Sequence, residues 1–178
     1  MKTLYDEPAL LHRIMEHKLT RSMERLKALA RCGVDGAWII EAQSSADLIS
    51  RRHYCEFSLP YQRALVDAVR GMGMAAILYF CGDAMPRLDL VRTMGVDAIA
   101  LEEGKKTFRN EIEQIVRAVD GAACVFGNID AVGVMARGTP QAVEDEARRQ
   151  MQAGNGARGF ILGTGSPLPP TTDPHQIT

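Results

Sequence analysis

The chain has 178 residues, 46% of them hydrophobic and 24% charged, a composition that suits one soluble globular domain with its own core and argues against disorder. Its 21 basic and 22 acidic residues nearly cancel, so no chain-wide field draws it to nucleic acid or to an anionic membrane surface. No apolar run approaches the roughly 20 residues of a membrane helix, and MKTLYDEP lacks the apolar stretch of a secretion signal, so a cytoplasmic location is expected.

The first predicted element is a long helix. Pro8 suits an early helical position, and Leu10, Leu11, Ile14, Met15, Leu19, Met23, Leu26 and Leu29 keep three-to-four spacing up to Gly33. This helix is expected to cap the first strand. Strands are then predicted at 37–40 (AWII), 75–80 (AAILYF), 98–101 (AIAL), 123–126 (ACVF) and 159–162 (GFIL). Each run is continuous rather than alternating, which predicts strands covered on both faces. Helical spacing fills the gaps at 60–70, 86–94, 108–119 and 140–153. Alternating strand and helix predict right-handed crossovers and a parallel sheet.

Gly33-Val34-Asp35 and Gly95-Val96-Asp97 both lie where a helix turns into a strand. Common turn chemistry and internal duplication account for this echo equally well. A helix, four strand-helix units and a bare fifth strand make more than half of an eight-stranded barrel, which takes about 250 residues. Another chain then completes the fold, or the sheet stays open as a doubly wound α/β domain, or the sequence is a fragment.

Parallel α/β folds bind ligands at the carboxyl ends of their strands. Those positions hold Glu41-Ala42-Gln43-Ser44-Ser45, Cys81-Gly82-Asp83, Glu102-Glu103, Gly127-Asn128-Ile129-Asp130 and Gly163-Thr164-Gly165-Ser166. Taken singly, Asp83, Ser44 or Ser45 caps a helix, and Asn128 or Asp130 holds a turn. Taken together they predict one site, with Glu41 and Asp130 as carboxylates able to exchange protons or bind a cation. Cys32, Cys55, Cys81 and Cys124 contain no CxxC pair and are expected to be reduced, the first, second and fourth as small buried side chains. His12 and His17 fall on the first helix and His53 on a connecting segment, all read as solvated or core-edge histidines.

An ordered set of motifs carries a resemblance: Tyr5-Asp6-Glu7-Pro8, Ser45-Ala46-Asp47-Leu48-Ile49-Ser50, Phe57-Ser58-Leu59-Pro60, the stretch 77–82, Gly127-Asn128-Ile129-Asp130, Gly138-Thr139-Pro140 and the stretch 159–174. In this order they resemble the uroporphyrinogen decarboxylase family, which includes corrinoid-dependent methyltransferases acting on thiols. The resemblance implies a (β/α)8 barrel, of which 1–178 is a single half-barrel domain, the carboxyl-terminal half. The fold class is therefore α/β, a parallel partial TIM barrel of about five strands with flanking helices. Glu41 with SSADLIS, and the YFC stretch, resemble the methyltransferase branch more closely.

That branch holds zinc through a His-x-Cys pair and a second cysteine in the last strand-end loop, and the zinc makes a thiol nucleophilic. Carried over, those positions fall on Tyr79, Cys81 and Ser166, so Cys81 is the sole ligand kept and no metal is expected to be held. Cys81 then packs at its strand end and lines the pocket. The decarboxylase branch uses an arginine-rich segment and an aspartate of the amino-terminal half, which are absent, and Gly165 stands nearest its last-loop histidine.

The resemblance implies methyl transfer between a corrinoid and a small thiol or methoxy compound. Glu41, Cys81 and Asp130 are the catalytic candidates, with Tyr79, Asp83, Asn128 and Ser166 binding substrate. Alternatives are uroporphyrinogen decarboxylation and a non-catalytic binding or assembly subunit or inactive fragment. Corrinoid and zinc enter as cofactors only through the resemblance. The expected partner is a second copy or an amino-terminal half-barrel, with a corrinoid protein docking on the site.

Overall fold

The computed structural model describes residues 2–176. In chain order the elements are α1 (Lys2–Asp6), α2 (Pro8–Arg31), β1 (Gly36–Glu41), α3 (Arg51–Phe57), α4 (Leu59–Gly71), β2 (Ala75–Phe80), α5 (Leu88–Arg92), β3 (Ala98–Leu101), α6 (Ile112–Val119), β4 (Cys124–Phe126), α7 (Pro140–Gly154) and β5 (Phe160–Ile161). A 3-10 turn at Met85–Arg87 precedes α5, and a π-helical turn at Ala131–Ala136 precedes α7. The five strands form one sheet in sequential order, every pair parallel. This is the expected α/β architecture, with all strand carboxyl ends on one rim.

The two faces of the sheet differ. On one, Leu78, Phe80, Ile99, Leu101 and Val125 are almost fully buried beneath Val66 and Val69 of α4, Leu88 and Val91 of α5, and Ile112, Ile115 and Val119 of α6. Helix α6 shows why it forms there: its apolar residues recur at the spacing that lines one helical face, and the left-handed conformation of Asp120 stops it. Register places Trp38, Ile77, Ala98 and Cys124 in one row of the opposite face and Ile40, Tyr79, Ala100, Phe126 and Ile161 in the next.

That second face is a trough. The rings of Trp38 on β1 and Phe126 on β4 lie 5.3 Å apart, and Trp38 also meets Tyr79 at 5.8 Å, both edge to face. In a flat sheet β1 and β4 would stand about 14 Å apart. Strong curvature is needed, and the small Ala98 and Ala100 at the trough's centre leave room for it. Trp38 and Ile40 nevertheless remain 51% and 68% exposed. The continuous apolar runs suggested cover on both faces; in β1 and β2 burial alternates instead, because half a barrel leaves its inner face open.

Other differences are local. Cys32, at the end of α2, and Cys55, on α3, are exposed rather than buried, and Cys124 is half-buried, because each lies off the helix-covered face of the sheet. His53 lies on a helix, α3, whose first turn is capped by the Ser50 hydroxyl accepting from the His53 N–H at 3.2 Å. Helix α6 starts at Ile112 rather than 108, and the last strand keeps two residues. Helix α2 packs against α4 and lines a cavity with Ile39, Ile40 and Glu41 of β1. The two Gly-Val-Asp turns are built alike: Gly33 and Gly95 take positive φ of 73° and 75°. The Asp35 and Asp97 carbonyls then accept from Ala75 and Cys124, joining each entering strand to its neighbour.

The difference between the faces is measurable. Leu78→Ala, which empties a fully buried position, is expected to lower unfolding stability by about 2–5 kcal/mol. Ile40→Ala on the trough should change it by under about 0.5 kcal/mol. Urea titration of dilute protein checks both, and equal losses would mean that the trough is already covered.

Candidate active site at the strand ends

Tyr79 stands on the trough one turn of pleat below the rim, and its hydroxyl donates to the Gly165 carbonyl at 2.6 Å. Cys81 follows two residues on, close enough to act on the Tyr79 phenol. Burial pushes the Tyr79 phenol well above its usual range, with the nearby Cys81, Glu102 and Glu103 adding to the shift. The Cys81 thiol is pushed up chiefly by burial, and further by Glu102 and Glu41. Both groups therefore stay protonated near neutrality.

Beside them β3 delivers a charged cluster. The Glu103 side chain is only 3% exposed, pairs with Lys105 and accepts from the Ser166 hydroxyl at 2.7 Å. Burial opposes the charge on Lys105, but its hydrogen bond to Glu103 and the charges of Glu103 and Glu102 outweigh burial and hold it protonated. Lys105 lies 3.5 Å from Glu102, whose other oxygen accepts from the Gly82 N–H at 2.8 Å. Gly165 fits because it has no side chain: a Cβ there would fall 2.3 Å from the Glu103 backbone nitrogen. The last loop is thus pressed on the end of β3 and pinned by Tyr79 and Ser166.

Asn128 is buried and acts as a brace. Its amide donates to the Asn110 carbonyl at 2.6 Å, while its backbone N–H donates to Gln150 Oε1 at 3.1 Å. Asn110 in turn donates to the Gly82 and Glu102 carbonyls. The Asp130 carboxylate accepts from the N–H groups of Val132 and Gly133 at 2.9 and 2.8 Å, capping the π-helical turn. Burial, and then Asp47, raise the Asp83 carboxyl; the Asp83 N–H donates to Asp47 at 3.0 Å. Glu41 shares the register parity of Ala37 and Ile39, on the helix-covered side. Its carboxylate accepts from the Gln43 N–H at 2.8 Å and from the Gln62 amide, and Gln62 accepts from the Tyr54 hydroxyl at 2.7 Å.

Tyr79, Cys81 and Ser166 are therefore brought together, whereas Glu41 and Asp130 are held in separate local networks. Glu103 and Lys105 join the first group without having been singled out from sequence. Their signal was present in Glu102-Glu103-Gly104-Lys105 directly after a fully apolar strand, but nothing in the pattern showed which acid turned inward. Gln62 gave no signal.

Zinc does not fit this set. Among the described residues no three His, Cys, Asp or Glu side chains converge on a point that could hold a metal ion. Tyr79 is a protonated phenol already donating to a carbonyl, and the Ser166 hydroxyl donates to Glu103, so neither offers the anionic or imidazole donor that zinc takes. Among the described residues, no helix is long and apolar enough to cross a membrane.

The comparisons agree with this geometry. The uroporphyrinogen decarboxylase (URO-D) family model matches residues 1–178. The methylcobamide:CoM methyltransferase MtbA of Methanosarcina mazei is 34% identical over 130 residues, covering 73% of this chain and 37% of the relative. A uroporphyrinogen decarboxylase of Saccharopolyspora erythraea is 27% identical over 184 residues, covering 98% of this chain and 48% of its own. A solved methyltransferase from Methanosarcina mazei superposes with a TM-score of 0.86 at 20% identity, over 99% of this chain and 49% of the other, a likeness of fold. The chain thus spans about half the length, or less, of these relatives. A family match along the whole chain, on a sequential parallel half-barrel with its polar groups on one rim, makes this chain a member of the uroporphyrinogen decarboxylase family.

Proposed function

We propose that the chain supplies half of a corrinoid-linked methyltransferase site, acting on a small, uncharged thiol or methoxy compound. The carrying observation is the charge at the end of β3, where the carboxylates of Glu102 and Glu103 face the one ammonium of Lys105. A porphyrinogen bearing several carboxylates would meet like charge on this half, whereas a neutral acceptor meets none. The greater identity to MtbA than to the decarboxylase supports the same choice. Decarboxylation is the second reading, supported by an alignment that runs over 98% of the chain against 73% for MtbA.

A bound corrinoid, presented by its carrier protein, would supply or accept the methyl group. When a thiol is the acceptor, its sulfur forms a bond to the methyl carbon, the donor bond breaks with its electron pair left on the donor, and the thiol proton must leave. Ser166 donates to Glu103, so the pair offers that proton a path to a carboxylate. Tyr79, a protonated phenol, holds the last loop at the rim, and Cys81, also protonated, stands beside it. Lys105 keeps the Glu103 charge compensated. Asn128 and Asp83 set the loops that carry these groups.

Two measurements test this reading. The chain, combined with the part of the Methanosarcina mazei methyltransferase that it does not cover, is expected to methylate an uncharged thiol from methylcobalamin. Glu103→Gln should slow that transfer about a hundredfold with little loss of folded protein. Uroporphyrinogen decarboxylation without methyl transfer would overturn the proposal in favour of the second reading. Separately, Tyr79→His combined with Ser166→Cys should bind one zinc per chain by elemental analysis, while the native chain retains far less. Stoichiometric zinc in the native chain would contradict the account of Tyr79 and Ser166.

A further inference from the structure

One buried amide ties the ends of three strands together. Asn110 stands where the loop after β3 returns toward α6, and it is only 3% exposed. Its side-chain amide donates to the Gly82 carbonyl beyond β2 at 3.1 Å and to the Glu102 carbonyl beyond β3 at 2.8 Å. Its backbone carbonyl accepts from the Asn128 side chain beyond β4 at 2.6 Å. Both side-chain partners are acceptors, so the amide is fixed with its NH2 toward the strand ends. Among the described residues no donor reaches its buried Oδ1 atom. The fold therefore uses this side chain for its two donors, which a carboxylate, a hydroxyl or an apolar group of similar size does not supply.

A ring of hydrogen bonds follows from it. The Gly82 peptide is held from both sides, its N–H donating to Glu102 Oε2 at 2.8 Å while its carbonyl receives the Asn110 amide. Glu102 is thus fixed at its backbone carbonyl and at one carboxylate oxygen. Its other oxygen stands 3.5 Å from the Lys105 ammonium, which also pairs with Glu103. The loop carrying Lys105 is closed by the Lys105 N–H, which donates to the Phe108 carbonyl at 3.0 Å, and Phe108 itself is buried.

We infer that Asn110 is a positioning residue of the strand-end site: by fixing the Gly82 and Glu102 peptides it sets the Glu102 carboxylate and, through it, the place of Lys105 against Glu103. It stands outside the proton path from Ser166 to Glu103, and the inference rests on the reading of that pair as the path. Without the two donors, Glu102 is free to turn away, Lys105 is released toward solvent, and the Glu103 charge loses its compensation. A buried carboxylate without a counter-charge is driven toward its neutral form, and a neutral acid does not accept a thiol proton.

The adjacent Lys106 provides an internal standard. Competitive labelling of the isolated chain with trace acetic anhydride, read by peptide mass, compares the two amines in one molecule. Lys105, paired with two carboxylates, should be acetylated about fivefold more slowly than Lys106 in the native chain. Asn110→Leu, which keeps the size and removes both donors, should bring the two rates to within about twofold. Asn110→Ser, which keeps one donor, should fall between them, and it carries the test if the leucine variant does not fold. Leu78→Ala, which loosens the core on the helix-covered face, should leave the ratio unchanged. In the chain combined with the part of the Methanosarcina mazei methyltransferase that it does not cover, Asn110→Ser should lower kcat roughly tenfold with KM for the thiol unaltered. Two results overturn the inference: a ratio that stays the same in both Asn110 variants, or one that changes equally in Leu78→Ala. The labelling does not depend on methyl transfer, so absent transfer with the predicted ratios would sink the proposed activity and leave Asn110 as the residue that sets Lys105.

Discussion

The edge-to-face contact of Trp38 with Phe126, made across two intervening strands, depends on a sheet bent into an arc. Much else follows from that bend. A flat parallel sheet would spread its strand ends over a broad edge, and the loop after β5 would lie far from the end of β3. Curvature turns the ends inward, so that Gly165 presses on the backbone of Glu103 and the Ser166 hydroxyl reaches its carboxylate. The alanines at 98 and 100 permit the arc, because larger side chains there would hold the inner rows apart.

The same geometry decides the chemistry of the rim. Tyr79, which supports the last loop, and Cys81 beside it are half-buried and stay neutral, while Glu103, in the same region, keeps compensation from Lys105. Ion pairing in a desolvated place is costly unless remaining oxygens are satisfied, and Ser166 satisfies one of them. Glu41 and Asp130 are carboxylates of another kind. One closes its own loop and anchors Gln62; the other caps a turn. Their place in the chain resembles that of Glu103, but their surroundings do not.

Several elements could be read directly. The third strand and the second, with alternating helices, were written in the apolar runs, and α2 and α7 in their periodicity and their proline starts. The repeated Gly-Val-Asp turn was legible because the left-handed backbone at its glycine is a local requirement. Helix α3 was hidden: RRHYCEF lacks a clear apolar period, and its cap at Ser50 and burial of Tyr54 and Phe57 hold it in place. The strand-end place of Glu103 was legible, but its pairing with Ser166, 63 residues downstream, was hidden, and so was the part played by Lys105.

By itself the sequence determined what local chemistry controls: which segments extend, which coil, where the chain turns, and that polar groups gather after each strand. Tertiary structure decided the rest. Whether an apolar strand residue meets a helix or an open trough depends on the arc of five strands, and so Trp38 and Ile40 are exposed where their pattern suggested burial. Whether an acid serves a site or a turn depends on which distant loop closes over it. That is settled by contacts between residues far apart in the chain, and no short stretch encodes them.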